Sequence, residues 1–225
     1  MKIKDIALPT DNSVCWYEYR TRNNNIYPLE VGMAVCRIGD LTYDPDTVRG
    51  LCKTGCKNYG IAGGCPPRAP KLLDIVEEKH PVWLVYCRFW SVFKPPKVAA
   101  SKNTALHWKF QDGIVSRFLV KVGHDLVDKI EGSFLSTGYC MGCPGRKCNF
   151  KLGYGYCRNP AKRTFSMEAT GINVVDTVKK VFGLQMHWYY RGNTDVPYLL
   201  KCIAVLPATE RFTGKEMDLL LEVLR

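Results

Sequence analysis

Thr104 to Ile130 reads TALHWKFQDGIVSRFLVKVGHDLVDKI, and the spacing of its apolar residues decides what kind of fold can form around it. Ile114, Phe118, Val122, Leu126 and Ile130 recur at four-residue steps, with Val115 and Leu119 beside them. That period puts one apolar stripe on a long helix, and the stripe needs a second layer to cover it. Gly113 and Gly123 interrupt the pattern and mark bends or points of close packing. On either side of this segment lie runs that suit strands. Val31 to Ile38 reads as a strand, Val82 to Phe89 is aromatic and β-branched, Ser133 to Thr137 is a short run, and Tyr198 to Leu206 is another apolar one.

Further helices fill the gaps. Asn173 caps a segment carrying Val174, Val175, Val178, Val181 and Phe182, and Gly183 stops it. Thr213-Gly214-Lys215-Glu216 has the spacing of a capping box before Met217, Leu220, Leu221 and Leu224. A further helix is expected from Pro70 to Lys79, and turns at Asn23-Asn24-Asn25 and Asp44-Pro45-Asp46. Strands alternating with helices predict an α/β or α+β fold, a small mixed sheet with flanking helices, carrying two cysteine-rich metal-binding loops at its edges. The expectation is a single domain over 1–225, with the metal loops at about 50–68 and 138–160. Strand order is not legible at this level.

At 225 residues and 46% hydrophobic, the chain can bury a substantial core, and disorder is excluded. No apolar run reaches the length of a membrane span. Met1 to Pro9 is too polar and short for a signal peptide, so the cytoplasm is the expected location. The formal charge of +11 suits an anionic partner, whether an acidic protein, a nucleic acid or an anionic substrate.

Eleven cysteines are the informative count. In a reducing compartment, clustered cysteines point to metal ligands rather than disulfides. The stronger cluster is Cys140-Met141-Gly142-Cys143-Pro144-Gly145-Arg146-Lys147-Cys148, followed by Cys157-Arg158-Asn159-Pro160. Gly142 permits a tight bend between two thiolates, and a glycine-rich surround lets backbone N–H groups approach the sulfurs of a cluster. The spacing matches neither the bacterial nor the plant ferredoxin run, and four soft ligands also suit tetrahedral zinc. The other cluster is Cys52-Lys53-Thr54-Gly55-Cys56, then Tyr59-Gly60, then Cys65-Pro66-Pro67. Three thiolates leave a fourth position, either open or filled by Cys15, Cys36, Cys87 or His80. Cys36, Cys87 and Cys202 lie in strand-like apolar context, where free buried cysteine is usual.

In this order, Cys52, Cys56, Tyr59-Gly60, Cys65-Pro66-Pro67, Cys140, Cys143, Cys157-Arg158-Asn159-Pro160, Ser166-Met167-Glu168-Ala169 and Gly171-Ile172-Asn173-Val174 resemble an uncharacterised family of predicted metal-binding proteins found mainly in anaerobic bacteria and archaea. The match covers about residues 50–185. The gap of Pro144, Gly145, Arg146 and Lys147 before Cys148 departs from the family pattern and leaves open whether Cys148 shares the metal of Cys140 and Cys143. The resemblance implies metal binding, and anaerobic hosts favour oxygen-labile 4Fe–4S clusters over zinc.

Arg146, Lys147, Lys151, Arg158, Lys162 and Arg163 surround the second cluster. They would offset an anionic centre or dock an acidic redox partner, or form a solvated basic loop. Glu168 caps a turn, pairs with Arg163 or sits near the metal; His107, His124 and His187 read as packing or surface residues. Nucleic acid is disfavoured, although Tyr154, Tyr156 and Phe165 offer stacking faces. No catalytic residue is assigned. The leading expectation is an iron–sulfur protein, with one or two 4Fe–4S clusters, that passes electrons to a partner in anaerobic metabolism. The alternatives are an iron–sulfur enzyme or maturation factor with an open iron at the first motif, and a zinc-stapled module for RNA or protein.

Overall fold

The computed structural model describes residues 14–143, 145, 147–209 and 213–225. The expectations about Met1 to Pro9 and about Pro144 and Arg146 lie outside these residues. Six strands form one sheet: β1 (Val14–Arg20), β2 (Ile26–Arg37), β3 (Pro81–Trp90), β4 (Gly132–Ser136), β5 (Phe165–Ser166) and β6 (Tyr198–Pro207). Their spatial order is β1-β2-β3-β6-β4-β5. Every neighbouring pair is antiparallel except β4 and β5, which run parallel. The mixed sheet with flanking helices is therefore as the sequence predicts.

β3 shows why its run is almost continuously apolar. Trp83, Val85, Cys87 and Phe89 join one buried layer, and Val82, Leu84 and Tyr86 join the other. A strand covered on both faces loses the polar alternation of a half-exposed one. The first layer is covered by α3 (Thr104–Ile130) and α5 (Glu216–Leu224). The second is covered by α4 (Val174–Phe182), which contributes Val174 and Val178, and by loop residues such as Leu72, Met167 and Ile172.

The bounds of α3 coincide with the predicted segment. Asn103 caps it, its Oδ1 accepting from Ala105 N at 3.0 Å and Leu106 N at 3.3 Å. The two glycines differ in kind. A Cβ at Gly123 would lie 2.6 Å from the Phe134 ring of β4, whereas one at Gly113 would meet nothing within 4 Å. Asn173 caps α4 through Asp176 N at 3.2 Å, and Gly183 closes it at φ 66°. The expected capping box before α5 does not form, because the helix begins at Glu216 with Lys215 at its N-cap and no side-chain cap; Glu216 instead accepts from the Thr213 N–H at 2.5 Å and its hydroxyl at 2.9 Å. The Thr213 hydroxyl in turn accepts from Lys215 N at 3.3 Å.

Three expectations are corrected. Pro70 to Lys79 is not a helix; only the short turn Leu72–Asp74 forms there, and Asp74 Oδ2 accepts from Lys71 N at 3.0 Å. Asp44-Pro45-Asp46 is not a free turn but the start of α1 (Pro45–Gly55), with Asp44 accepting from Thr47 N at 3.0 Å. Proline suits the first helical position because its missing N–H has no partner to lose there. Cys52 accordingly lies on a helix and not in a loop. The short α2 (Pro96–Ala99) precedes α3.

One buried polar group carries no mark in the sequence pattern. Glu30 of β2 is 1% exposed and accepts from Tyr86 Oη at 2.9 Å, from Trp90 Nε1 at 2.9 Å and from Arg88. The Arg88 guanidinium lies over the rings of Trp90 and Tyr198. Burying an ion pair of this kind requires such dense hydrogen bonding.

Candidate metal centres

The first centre is built on α1. Cys52 and Cys56 are four residues apart, and Cys56 N–H donates to Cys52 O at 3.2 Å, continuing the helical turn. Cys56 is the residue that ends the helix, with extended backbone at φ −101° and ψ 119°, and it lines the same cavity as Cys52. The chain then turns through Tyr59 and Gly60, whose N–H donates to Pro66 O at 2.9 Å, and this returns Cys65 toward the helix. Cys52, Cys56, Cys65, Ser166, Glu168 and Tyr59 line one cavity of about 220 Å³. None of Cys15, Cys36, Cys87 and His80 lines it. Cys15 and Cys87 belong to the layer under α3, and His80 Nε2 bonds Pro207 O at 2.9 Å. Cys36 packs against the other layer.

Glu168 reaches this cavity by a route the sequence does not reveal. It begins the turn Glu168–Thr170 after β5, and Gly171 ends that turn at φ 100°. The turn docks on the start of α1: Asp44 N donates to Gly171 O at 2.9 Å, and a Cβ on Gly171 would lie 2.7 Å from Pro45. The carboxylate is thereby fixed beside the thiol-bearing helix. Arg163 does not pair with it, because its guanidinium donates to Gly63 O at 2.9 and 2.7 Å and stacks on Phe150 and Phe165.

The thiols of the first centre sense one another. Burial, then the charges of Cys56 and Cys52, with Glu168 adding to them and Lys151 opposing, push the Cys65 thiol up to about 11. Burial, Cys56 and Glu168 also raise Cys52. Crowded thiols hold their protons until a cation compensates their charge.

The second centre occupies the excursion from β4 to β5, residues 137–164. Cys140, Cys143 and Cys148 line a cavity of about 870 Å³. Cys157 is not on its wall, but burial and the charges of Cys157, Cys140 and Cys148 together raise the Cys143 thiol. Two side chains of the Cys157-Arg158-Asn159 segment pin it to the rest. Asn159 Nδ2 donates to Gly142 O at 2.6 Å, and Arg158 Nε donates to Asn149 Oδ1 at 2.7 Å. A Cβ at Gly142 would sit 2.0 Å from Lys162 O, so only glycine allows the two stretches to meet.

Backbone N–H groups converge on these sulfurs. Cys140 Sγ accepts from Gly142 N at 3.5 Å and Thr164 N at 3.4 Å. Burial raises Cys148, but N–H groups of Gly63, Lys151 and Phe150 and the charge of Lys151 outweigh it and hold the thiol below its ordinary value. Such donors stabilise thiolates and tune a centre built on them.

The two centres are contiguous. Gly64, next to Cys65, packs so closely that a Cβ there would lie 2.7 Å from Cys140 Cβ and 2.3 Å from Thr164 O. Lys151 acts electrostatically on Cys65 of one centre and Cys148 of the other. Its Nζ donates to Asn58 Oδ1 at 2.7 Å. Among the described residues, no three His, Cys, Asp or Glu side chains stand at the spacing of one shared metal ion.

Lys147, Lys151 and Lys162 of the predicted basic patch line the second cavity. Arg22, Arg117 and Lys121 join them from the β1–β2 turn and α3, and the chain order alone does not bring these three there. Tyr154 and Tyr156 are exposed, and Phe165 lies under Arg163. Cys87 and Cys202 are free, buried strand residues whose thiols burial pushes well up. Among the described residues no helix is long and apolar enough to cross a membrane.

No curated protein and no solved structure matches the chain. Residues 37–201, which contain both cysteine groups and Glu168, match the family model described as predicted metal-binding protein (DUF2284), and the chain belongs to that family.

Proposed function

We propose that the protein holds two iron–sulfur centres, one at Cys52, Cys56 and Cys65 and one at Cys140, Cys143, Cys148 and Cys157, and passes electrons to an acidic redox partner in the cytoplasm of an anaerobic cell. The observation that carries this reading is the contact between the two thiol groups through Gly64 and Cys140, with N–H groups from Gly63, Gly142 and Thr164 turned to the sulfurs. The residues fit the group: the donors are soft thiols, and backbone donors surround them in a glycine-rich cradle. A 4Fe–4S centre at each site supplies one-electron chemistry. The chain's own share is to hold the sulfurs, to donate hydrogen bonds to them and to keep the two sites close.

The cationic wall of the second cavity supports the partner's character. Arg22, Arg117, Lys121, Lys147, Lys151 and Lys162 together face outward around Cys140 and Cys143. An acidic surface docked there would bring its own redox group to the second centre, and its association would weaken with salt.

Anaerobic purification followed by iron, sulfide and zinc analysis tests the reading. Iron and sulfide in equal amounts, with paramagnetic resonance on reduction, are expected. Stoichiometric zinc without iron would replace it with the zinc-stapled module, and a metal-free protein would overturn it. Cys140→Ser and Cys157→Ser should each lose the second centre's share of iron while the first centre's share remains.

A further inference from the structure

Among the described residues, Glu168 Oε2 is buried without a hydrogen-bond partner. It lines the cavity that Cys52, Cys56 and Cys65 line. A buried carboxylate oxygen with nothing to accept from is costly, and such groups are retained where a cation or metal satisfies them. Two other side chains of the cavity wall carry oxygen, Tyr59 and Ser166, and Ser166 Oγ accepts from Ala169 N at 3.1 Å. The turn carrying Glu168 is clamped to α1 through Asp44 and Gly171, and this holds Glu168 at the cavity that Cys52 also lines.

The same carboxylate borders a second space. A cavity of about 300 Å³, lined among others by Met186, Trp188, Lys201 and Cys202, shares Gly138 and Glu168 with the cavity of the three thiols. Lys201 is committed to Asp112 and to Ser116 Oγ at 2.9 Å, so the space is not a dedicated anion site. Its aromatic and thioether lining suits a small, soft, mostly uncharged molecule.

Resting on the reading that Cys52, Cys56 and Cys65 hold an iron–sulfur centre, we propose that Glu168 supplies the fourth, oxygen donor of that centre and that a small thiol entering from the neighbouring cavity displaces it. The exchange is balanced within the site. The thiol sulfur forms a bond to the iron, the carboxylate–iron bond breaks, and the thiol proton passes to the released carboxylate; no electron is transferred. A hard carboxylate on an iron otherwise surrounded by sulfur is the weakest of the four protein bonds, and a soft thiolate is the better match. This distinguishes the first centre, with an exchangeable position, from the second, with four cysteines.

The test uses full-length protein reconstituted anaerobically with ⁵⁷Fe and sulfide, with β-mercaptoethanol as the thiol. Mössbauer spectra of the wild type should show one iron subsite of the first centre distinct from its others. Glu168→Cys should remove that distinction by making the fourth donor sulfur. β-Mercaptoethanol should shift the distinct subsite in the wild type and leave Glu168→Cys unchanged. Glu168→Gln preserves shape and removes the anionic donor and proton acceptor, so the wild-type subsite should be lost even if Glu168→Cys fails to fold. If both variants give the wild-type spectrum while Cys52→Ser loses the first centre's iron, the inference about Glu168 is overturned and the metal reading stands. If the thiol shifts no subsite of the wild type, the exchange is overturned. If Cys52→Ser keeps all its iron, the metal reading of the first motif fails and the inference fails with it.

Discussion

Gly64→Ala is the sharpest probe of the contact between the two cysteine groups. An added methyl would lie 2.3 Å from Thr164 O and 2.7 Å from Cys140 Cβ, against ordinary contacts beyond 3.4 Å, so backbone must move by about 1 Å. Neither neighbour is the far end of a flexible side chain. Overpacking of this kind costs about 1–3 kcal/mol. Moving residue 64 away from residue 164 also disturbs the two bonds from Arg163 to Gly63 O, at 2.9 and 2.7 Å. Hydrogen bonds to charged groups are worth about 1.5–3 kcal/mol each, and partial loss of this pair brings the total to about 3–5 kcal/mol. For a domain of this size, that corresponds to a fall in Tm of about 10 °C. Urea unfolding and thermal melts, performed anaerobically, read it out. Gly155→Ala is the control, because a Cβ there meets nothing within 4 Å, and its stability should stay within about 0.5 kcal/mol of wild type. Iron retention in Gly64→Ala should fall as well, because Cys140 is displaced. A Gly64→Ala protein as stable as the control, with full iron, would refute the claim that the two loops pack as one unit.

Other consequences are simpler to measure. Glu30→Ala leaves the Arg88 guanidinium, 8% exposed, without its counter-ion and should cost about 3–5 kcal/mol in urea unfolding; a loss below about 1 kcal/mol would contradict the buried network. Gly113→Ala should stabilise by about 0.5–1 kcal/mol because its site on α3 is open, whereas Gly123→Ala should destabilise through the Phe134 ring 2.6 Å away. Burial raises Glu216, but hydrogen bonds from the Thr213 and Glu216 N–H groups and the Thr213 hydroxyl outweigh it and hold the carboxyl below its ordinary value. Its stabilising contribution is therefore fully present above the unfolded value of about 4.3 and is lost as pH falls through the lower folded value. Glu216→Gln should flatten that part of the stability–pH curve, as unfolding midpoints between about pH 3 and pH 6 would show.

What was legible in the chain is what neighbouring residues decide among themselves. The stripe from Ile114 to Leu126, the caps at Asn103 and Asn173, and the apolar runs of β3 and β6 are governed by local period and capping, and they appear where the pattern places them. Asp44-Pro45-Asp46 misleads because the same residues serve a turn and a helix start, and only the continuation into α1, which buries Val48 and packs against the turn of Glu168, selects the helix. The grouping of cysteines was also visible, because their spacing is short. The order β1-β2-β3-β6-β4-β5 and the meeting of Gly64 with Cys140 were not, since both depend on contacts between segments far apart in the chain. Glu168 illustrates the division most clearly. By itself it is one carboxylate among 21 acidic residues. Its place beside three thiols exists only because β5 pairs with β4 and the following turn docks on α1, and long-range packing of that kind leaves no period in the sequence.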